Sequence, residues 1–220
     1  MSKFNKERNG CVDVFKTDLI LDAYFEGRPE IPRLEKCEEF PSKLIPFSQA
    51  IGSKDYDQWI HFYEDDCKFE RIWNKPRRYI NVLKKFKGVI TPDFSVYRDL
   101  PEVMQEWNIY RSRVFGYALQ REGLNVIVNL RYGDERTYET ACLGVPKHAS
   151  IAVGTHGVMK DKEDRFYFKE GLDYAVRKLK PKTIVVYGTA PGEVFGKHVK
   201  SGIQILQFDS LFSQKHRKER

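Results

Sequence analysis

Ser150-Ile151-Ala152-Val153-Gly154-Thr155-His156, a helical pattern from Phe166 to Leu179, and then Thr183-Ile184-Val185-Val186-Tyr187-Gly188 spell a strand, a helix and a strand in succession. The two strand runs are short and rich in β-branched residues, and each ends on a polar group. Between them Phe168, Leu172, Ala175, Val176 and Leu179 recur at helical spacing, and Pro181 prevents extension. Three further runs have the same character: Gly88-Val89-Ile90-Thr91-Pro92-Asp93, Asn125-Val126-Ile127-Val128-Asn129 and Ile203-Gln204-Ile205-Leu206-Gln207-Phe208-Asp209. In a βα series the strands lie parallel and their carboxyl ends gather on one rim, where ligands bind whether or not the sheet closes.

Helical signals fill the intervals. Pro101 to about Glu122 carries Val103, Met104, Trp107, Tyr110, Val114, Ala118 and Leu119, with Gly123 placed to stop it. Asn74 to Phe86 has Pro76 at its first turn and Lys84, Lys85 and Lys87 at the carboxyl end of its dipole. A short helix opens at Gly133 or Asp134 and ends by Gly144, and another spans Gly192 to Val199. Trp59-Ile60-His61-Phe62-Tyr63 reads as a strand, and Lys43-Leu44-Ile45-Pro46-Phe47 as an edge strand, where proline is tolerated. Upstream, Val12, Phe15, Leu19, Ile20 and Tyr24 predict a helix that stops near Gly27, followed by a proline-containing arm.

These elements predict an α/β fold of repeated βα units with a mainly parallel sheet. About seven strands approach the eight of a TIM-like barrel, compact or distorted because the chain is shorter than the usual ~250 residues; the alternative is an open doubly wound sheet. The expected organisation is an N-terminal helix and connecting arm over residues 1–43, a single α/β domain over 44–210, and a basic C-terminal tail over 211–220.

The 220 residues carry 38 Lys and Arg against 31 Asp and Glu, a net charge of +7, with 41% hydrophobic residues. That is enough apolar matter for one sizeable core and mild enough in charge to be compatible with a polyanionic partner without requiring one. Four cysteines, Cys11, Cys37, Cys67 and Cys142, show no paired spacing and read as reduced thiols. No apolar run is long enough for a membrane span or a signal peptide, so a cytoplasmic protein is expected.

Several rare words occur in order along the chain: His61-Phe62-Tyr63-Glu64-Asp65-Asp66, Phe69-Glu70-Arg71-Ile72-Trp73-Asn74, Gly88 to Ser95, Asp134-Glu135-Arg136 and Val185-Val186-Tyr187-Gly188. On these, the stretch from Ile45 to about Ala190 resembles the domain of unknown function 4417 family of bacteria, phages and mobile elements. The resemblance implies a prophage or mobile-element setting and brings no activity with it.

Chemistry must therefore be sought among the groups delivered to the rim: Asp65, Asp66, Asp93, Ser95, Asn129, Arg131, Asp134 to Arg136, Thr155, His156, Tyr187 and Asp209. Several carboxylates and a histidine on one rim can bind a divalent cation or divide acid and base roles. Asp65, Asp93 and Asp134 are the candidate ligands of Mg²⁺ or Mn²⁺; Asp93, Arg136 and His156 are the candidate catalytic groups, acting on a phosphorylated or nucleic-acid substrate. Each has a structural reading too: Asp after Pro caps turns, Asp134 caps a helix, and a histidine at a strand end packs locally. Arg71, Arg77, Arg78 and Arg111, interleaved with aromatics, could neutralise and stack a single strand, giving a non-catalytic nucleic-acid-binding protein, although aromatics at helical spacing usually belong to a core. A protein-binding factor is the third reading. Nucleotide-binding glycine motifs, G-x-S-x-G and H-E-x-x-H are all missing from the sequence.

Overall fold

A computed structural model describes residues 15–211. A 3-10 turn at Thr17–Ile20 leads into β1 (Phe25–Glu26) and β2 (Ile31–Pro32), an antiparallel pair. There follow β3 (Leu44–Pro46), α1 (Phe47–Ala50), β4 (Trp59–His61), α2 (Asp66–Phe69), α3 (Arg71–Asn74), α4 (Pro76–Leu83) and β5 (Gly88–Ile90). The chain continues with α5 (Glu102–Arg121), β6 (Asn125–Asn129), α6 (Tyr138–Cys142), β7 (Ser150–Gly154), α7 (Lys162–Leu179), β8 (Thr183–Tyr187), α8 (Gly192–Lys200) and β9 (Gln204–Phe208).

Strands β3 to β9 form one seven-stranded sheet in chain order, and every neighbouring pair is parallel. This is the strand order of a barrel without its closure: the sheet curls into a half-barrel whose edges are β3 and β9. Pro46 lies on the β3 edge, where a missing N–H costs no ladder bond.

Residue alternation divides the interior in two. Ile60, Val89, Val126, Val128, Ile151, Val153, Ile184 and Val186 enter the large core that also holds the helices' Phe69, Ile80, Phe115, Leu119, Leu172 and Phe195. Their neighbours Trp59, Ile90, Ile127, Ala152 and Val185 point to the other face and make a smaller cluster with Tyr63, Leu206 and Phe208, joined from the arm by Cys37. A flat sheet would put β4 and β8, with three strands between them, about 19 Å apart at ~4.8 Å per step. Instead the ring of Tyr187 on β8 lies 4.4 Å from that of His61 on β4 and 4.9 Å from that of Tyr63 just beyond it, the two tyrosine rings stacked nearly parallel at 11°. Two glycines make room on this concave side. A Cβ on Gly88 would stand 2.6 Å from the Trp59 indole, and one on Gly154 would stand 2.7 Å from the Tyr63 ring.

The arm and the amino-terminal segment depart from expectation. Of the helix expected from Val12 to Tyr24, the described part holds only Thr17–Ile20, bracketed by Lys16 and Asp22 with left-handed φ of 58° and 63°; its start lies outside the described residues. The arm contains β2, and its Leu34 amide donates to Gly144 O at 3.0 Å, tying it to the loop after α6. Helix α7 begins earlier than Phe166 because the Asp161 carboxylate accepts from the amides of Glu163 and Asp164. The basic tail beyond Leu211 lies outside the described residues. Among the described residues, Cys37, Cys67 and Cys142 are free, and no helix is long and apolar enough to cross a membrane.

Gly88→Ala is expected to lower unfolding free energy by about 1–3 kcal/mol, the usual cost of overpacking, read from the shift in urea midpoint. Burial pushes His61 down to about 3. The unfolded chain therefore takes up a proton below pH ~6.5 that the folded chain refuses, and stability falls by about 1.4 kcal/mol per pH unit as pH drops from there toward 3. His61→Phe should flatten the measured stability–pH curve by that slope.

Candidate active site

The carboxyl ends of β5 and β6 supply the centre of the rim. Thr91, just past β5, donates its amide to Ile127 O, and its hydroxyl accepts from the Asn129 amide and lies 3.2 Å from the Ser112 hydroxyl on α5. Ser112 also donates to Pro92 O at 2.7 Å, so the turn that presents Asp93 is gripped from the helix side. On β6 the inward alternation of Ile127 continues to Asn129 and Arg131. Arg113 of α5, 1% exposed, holds that end from below: its guanidinium donates to the carbonyls of Asn129, Ala141 and Leu143. Burial pushes it down to about 10, so it stays cationic at neutral pH.

A directed chain of hydrogen bonds reaches Asp93. The Tyr63 hydroxyl donates to Asn129 Oδ1 at 3.0 Å, and Asn129 Nδ2 donates to Asp93 Oδ1 at 2.7 Å. Burial raises the Tyr63 phenol well above its ordinary value, keeping it a donor. The Asp93 side chain is 14% exposed, and burial raises its pKa in spite of the Arg131 charge and the Asn129 hydrogen bond, which lower it. Arg131 Nε lies 4.0 Å from Asp93 Oδ1, beyond hydrogen-bond reach, and this buried nitrogen has no acceptor among the described residues. The arginine side chain is nevertheless 28% exposed.

Two adjoining cavities meet at Arg131, and both are also lined by Tyr97, Gly154 and His156. One, of ≈ 380 Å³, is walled by Tyr63, Glu64, Asp65, Asp66, Asp93 and Ser95. The other, of ≈ 350 Å³, is walled by Arg98, Tyr132, Tyr167, Phe168 and Val158. The loop between them is braced from α5: Asn108 donates to Ser95 O, and Arg111 bonds Asn108 and Glu70 while stacking 3.9 Å over Phe94.

The structure thus brings Asp65, Asp93 and His156 to one cleft, with Asp66 beside them. Asp134 and Arg136 line neither cavity. They pair with each other, Arg136 Nη2 lying 2.8 Å from Asp134 Oδ2, and this holds the Asp134 carboxyl below its usual range. Arg136 also donates to Arg98 O, which makes the pair a brace behind the second cavity. The expected trio of metal ligands is therefore not gathered, and among the described residues no three His, Cys, Asp or Glu are grouped to hold a metal ion. Asp65 pairs instead with Lys68 at 2.9 Å, and both Asp66 oxygens accept from Ser95.

The four arginines considered for nucleic acid sit on α3, α4 and α5, away from both cavities. Arg71 stacks over Phe47 and Tyr79, Arg78 over Tyr79, and Arg77 pairs with Asp18 and Glu122. Arg111 is 8% exposed and fully engaged, which removes it as a surface contact. Arg131, by contrast, had a readable signal in the two-residue alternation after Ile127. Tyr97 had none, because it lies in a loop without periodicity.

A family model described as Domain of unknown function (DUF4417) matches residues 23–209, from the arm to the last strand. The chain belongs to this family. Two phage relatives are similar to it. A "Gene 1 protein" of Mycobacterium phage L5 is 31% identical over 163 residues, covering 72% of this chain and 71% of that protein. A "Gene 1 protein" of Mycobacterium phage D29 is 32% identical over 163 residues, covering 72% of this chain and 60% of that protein. No solved structure matches the chain. The DUF4417 match takes in the arm as well as the stretch between Ile45 and Ala190, in agreement with the way the arm's Leu34 and Cys37 pack into the two cores.

A carboxyl raised by burial destabilises the fold once ionised, because the unfolded chain releases that proton at lower pH. Asp93→Asn should therefore be more stable than the parent at pH 7, and the gain should shrink as pH falls toward the ordinary carboxyl value of about 3.9. Thermal melts of the two proteins across that range check the sign.

Proposed function

We propose that this cleft is the active site of an enzyme acting on a phosphorylated substrate, in which Arg131 binds the phosphate and Asp93 transfers the proton. One observation carries the reading: a half-sheltered guanidinium with an unmatched Nε, placed where two cavities meet, beside a carboxyl raised by burial. Guanidinium donors match phosphate oxygens in geometry and charge, and a low-dielectric wall strengthens the contact. Asp93, its pKa raised by burial and its side chain held in one orientation by Asn129, is placed to give or take a proton at a bound ester. His156 lines both cavities alongside Arg131 and can hydrogen-bond the same ligand.

The carboxylates do not form a divalent site by themselves: Asp66 is committed to Ser95, Asp65 to Lys68, and Asp93 in part to Asn129. The phosphate therefore falls to the Arg131 guanidinium. The +7 charge adds long-range attraction for an anionic substrate.

Calorimetric titration with inorganic phosphate tests this. Saturable binding is expected, weakened about tenfold or more in Arg131→Gln, since a charge-assisted hydrogen bond is worth about 1.5–3 kcal/mol, and unchanged in Arg78→Gln. Equal affinity in Arg131→Gln and the parent would overturn the assignment.

A further inference from the structure

We infer that the phosphorylated ligand is a nucleoside monophosphate, its base in the aromatic cavity and its phosphate on Arg131. This rests on the phosphate reading of the cleft and adds the identity of what the phosphate is attached to.

The two cavities differ in chemistry. On one side of Arg131 stand Glu64, Asp65, Asp66 and Asp93; on the other stand Tyr132, Tyr167 and Phe168, and Tyr97 borders both. The aromatic side is built rigidly. The Arg98 guanidinium lies 4.6 Å over the Tyr167 ring and is itself fixed by Glu163 and Asp164 at 2.5 and 2.7 Å. The Tyr132 hydroxyl donates to Phe168 O at 2.8 Å, and a Cβ on Gly171 of α7 would collide with the Tyr132 ring, so that ring is packed tight against the helix.

Tyr97 is different. It is 56% exposed, it belongs to the braced loop that follows Asp93, and it lines both cavities next to Arg131. A large aromatic surface kept open in a concave site beside a guanidinium matches a ligand with one flat π-face and one anion. At ≈ 350 Å³ the aromatic cavity is within the usual range for a small-molecule site. A nucleobase stacked on tyrosine meets these requirements, and stacking tolerates any base.

The acidic side decides between a single nucleotide and a polynucleotide. A strand continuing past the phosphate on Arg131 would carry its next phosphate toward Glu64, Asp65 and Asp66, where like charges repel it. A terminal phosphate has no successor to place there.

The test uses the full chain in calorimetric titrations with adenosine 5′-monophosphate, ribose 5-phosphate, inorganic phosphate and a ten-nucleotide single strand of DNA. The nucleotide should bind about tenfold or more tighter than ribose 5-phosphate, the scale of one base–aromatic stack. Tyr97→Ala should erase that difference while leaving ribose 5-phosphate unchanged, and Tyr97→Phe should restore it; the side chain is exposed enough for both variants to fold, checked by circular dichroism. Equal binding of nucleotide and sugar phosphate, both dependent on Arg131, would overturn the nucleobase assignment and leave the phosphate reading standing. Failure of inorganic phosphate and both monophosphates to bind would overturn both. Tighter binding of the single strand than of the mononucleotide would overturn the choice of a single nucleotide.

Discussion

Three rings meet across the hollow of the sheet and bring distant parts of the rim face to face. His61 and Tyr63 come from one side of it and Tyr187 from the other, four ladder steps away, and their stacking holds the sheet in its curl. Flattened, the same strands would spread Asp66, Asp93, Arg131 and His156 along a line, since neighbouring strands alone separate by about 4.8 Å. Curled, they face a shared space. The glycines at 88 and 154 belong to the same arrangement, because each leaves a place that a neighbouring ring fills. Tyr63 adds a polar function to its packing one by starting the hydrogen-bond chain to Asp93.

At the centre of that space, the fold shelters two charged groups that are not closely paired. Asp93 is sheltered enough for its ionised form to be costly, and Arg131 Nε is sheltered without an acceptor among the described residues. Each would be better off paired closely with the other, yet Nε and Oδ1 stand 4.0 Å apart. Asn129 and the grip of Ser112 on the preceding turn keep Asp93 turned away from full pairing. The Asp134–Arg136 pair shows the contrast: its charges satisfy each other at ordinary distances.

Much of the architecture was legible from residue pattern, because β-branched runs alternating with helical ones leave few alternatives to parallel strands in chain order. The convergence of Asp65, Asp93 and His156 was legible for the same reason, since all three follow strand ends. Asp134 and Arg136 also follow one, but an i, i+2 pair of opposite charges can close on itself before it reaches a shared cleft, and this one does. The helical wheel of α5 misled in another way. Its buried face includes Gln105, Arg111, Ser112 and Arg113, polar residues hydrogen-bonded to backbone carbonyls and side chains, those of Ser112 and Arg113 lying 20 and 28 residues away in sequence. Tyr97 and the arm's β2 pairing leave no periodic trace, the one being a single loop residue and the other a two-residue ladder containing a proline.

Arg113 illustrates a hazard for comparing members of this family. Its planar fork reaches three carbonyls on two elements at once, which the single ammonium of lysine cannot reproduce, and an uncharged substitute would strand those oxygens without water. Such a side chain is as hard to replace as one that touches substrate. Wherever homologues retain an arginine here, its invariance records masonry and not catalysis, and the residues worth following through evolution are those a solvent molecule can touch.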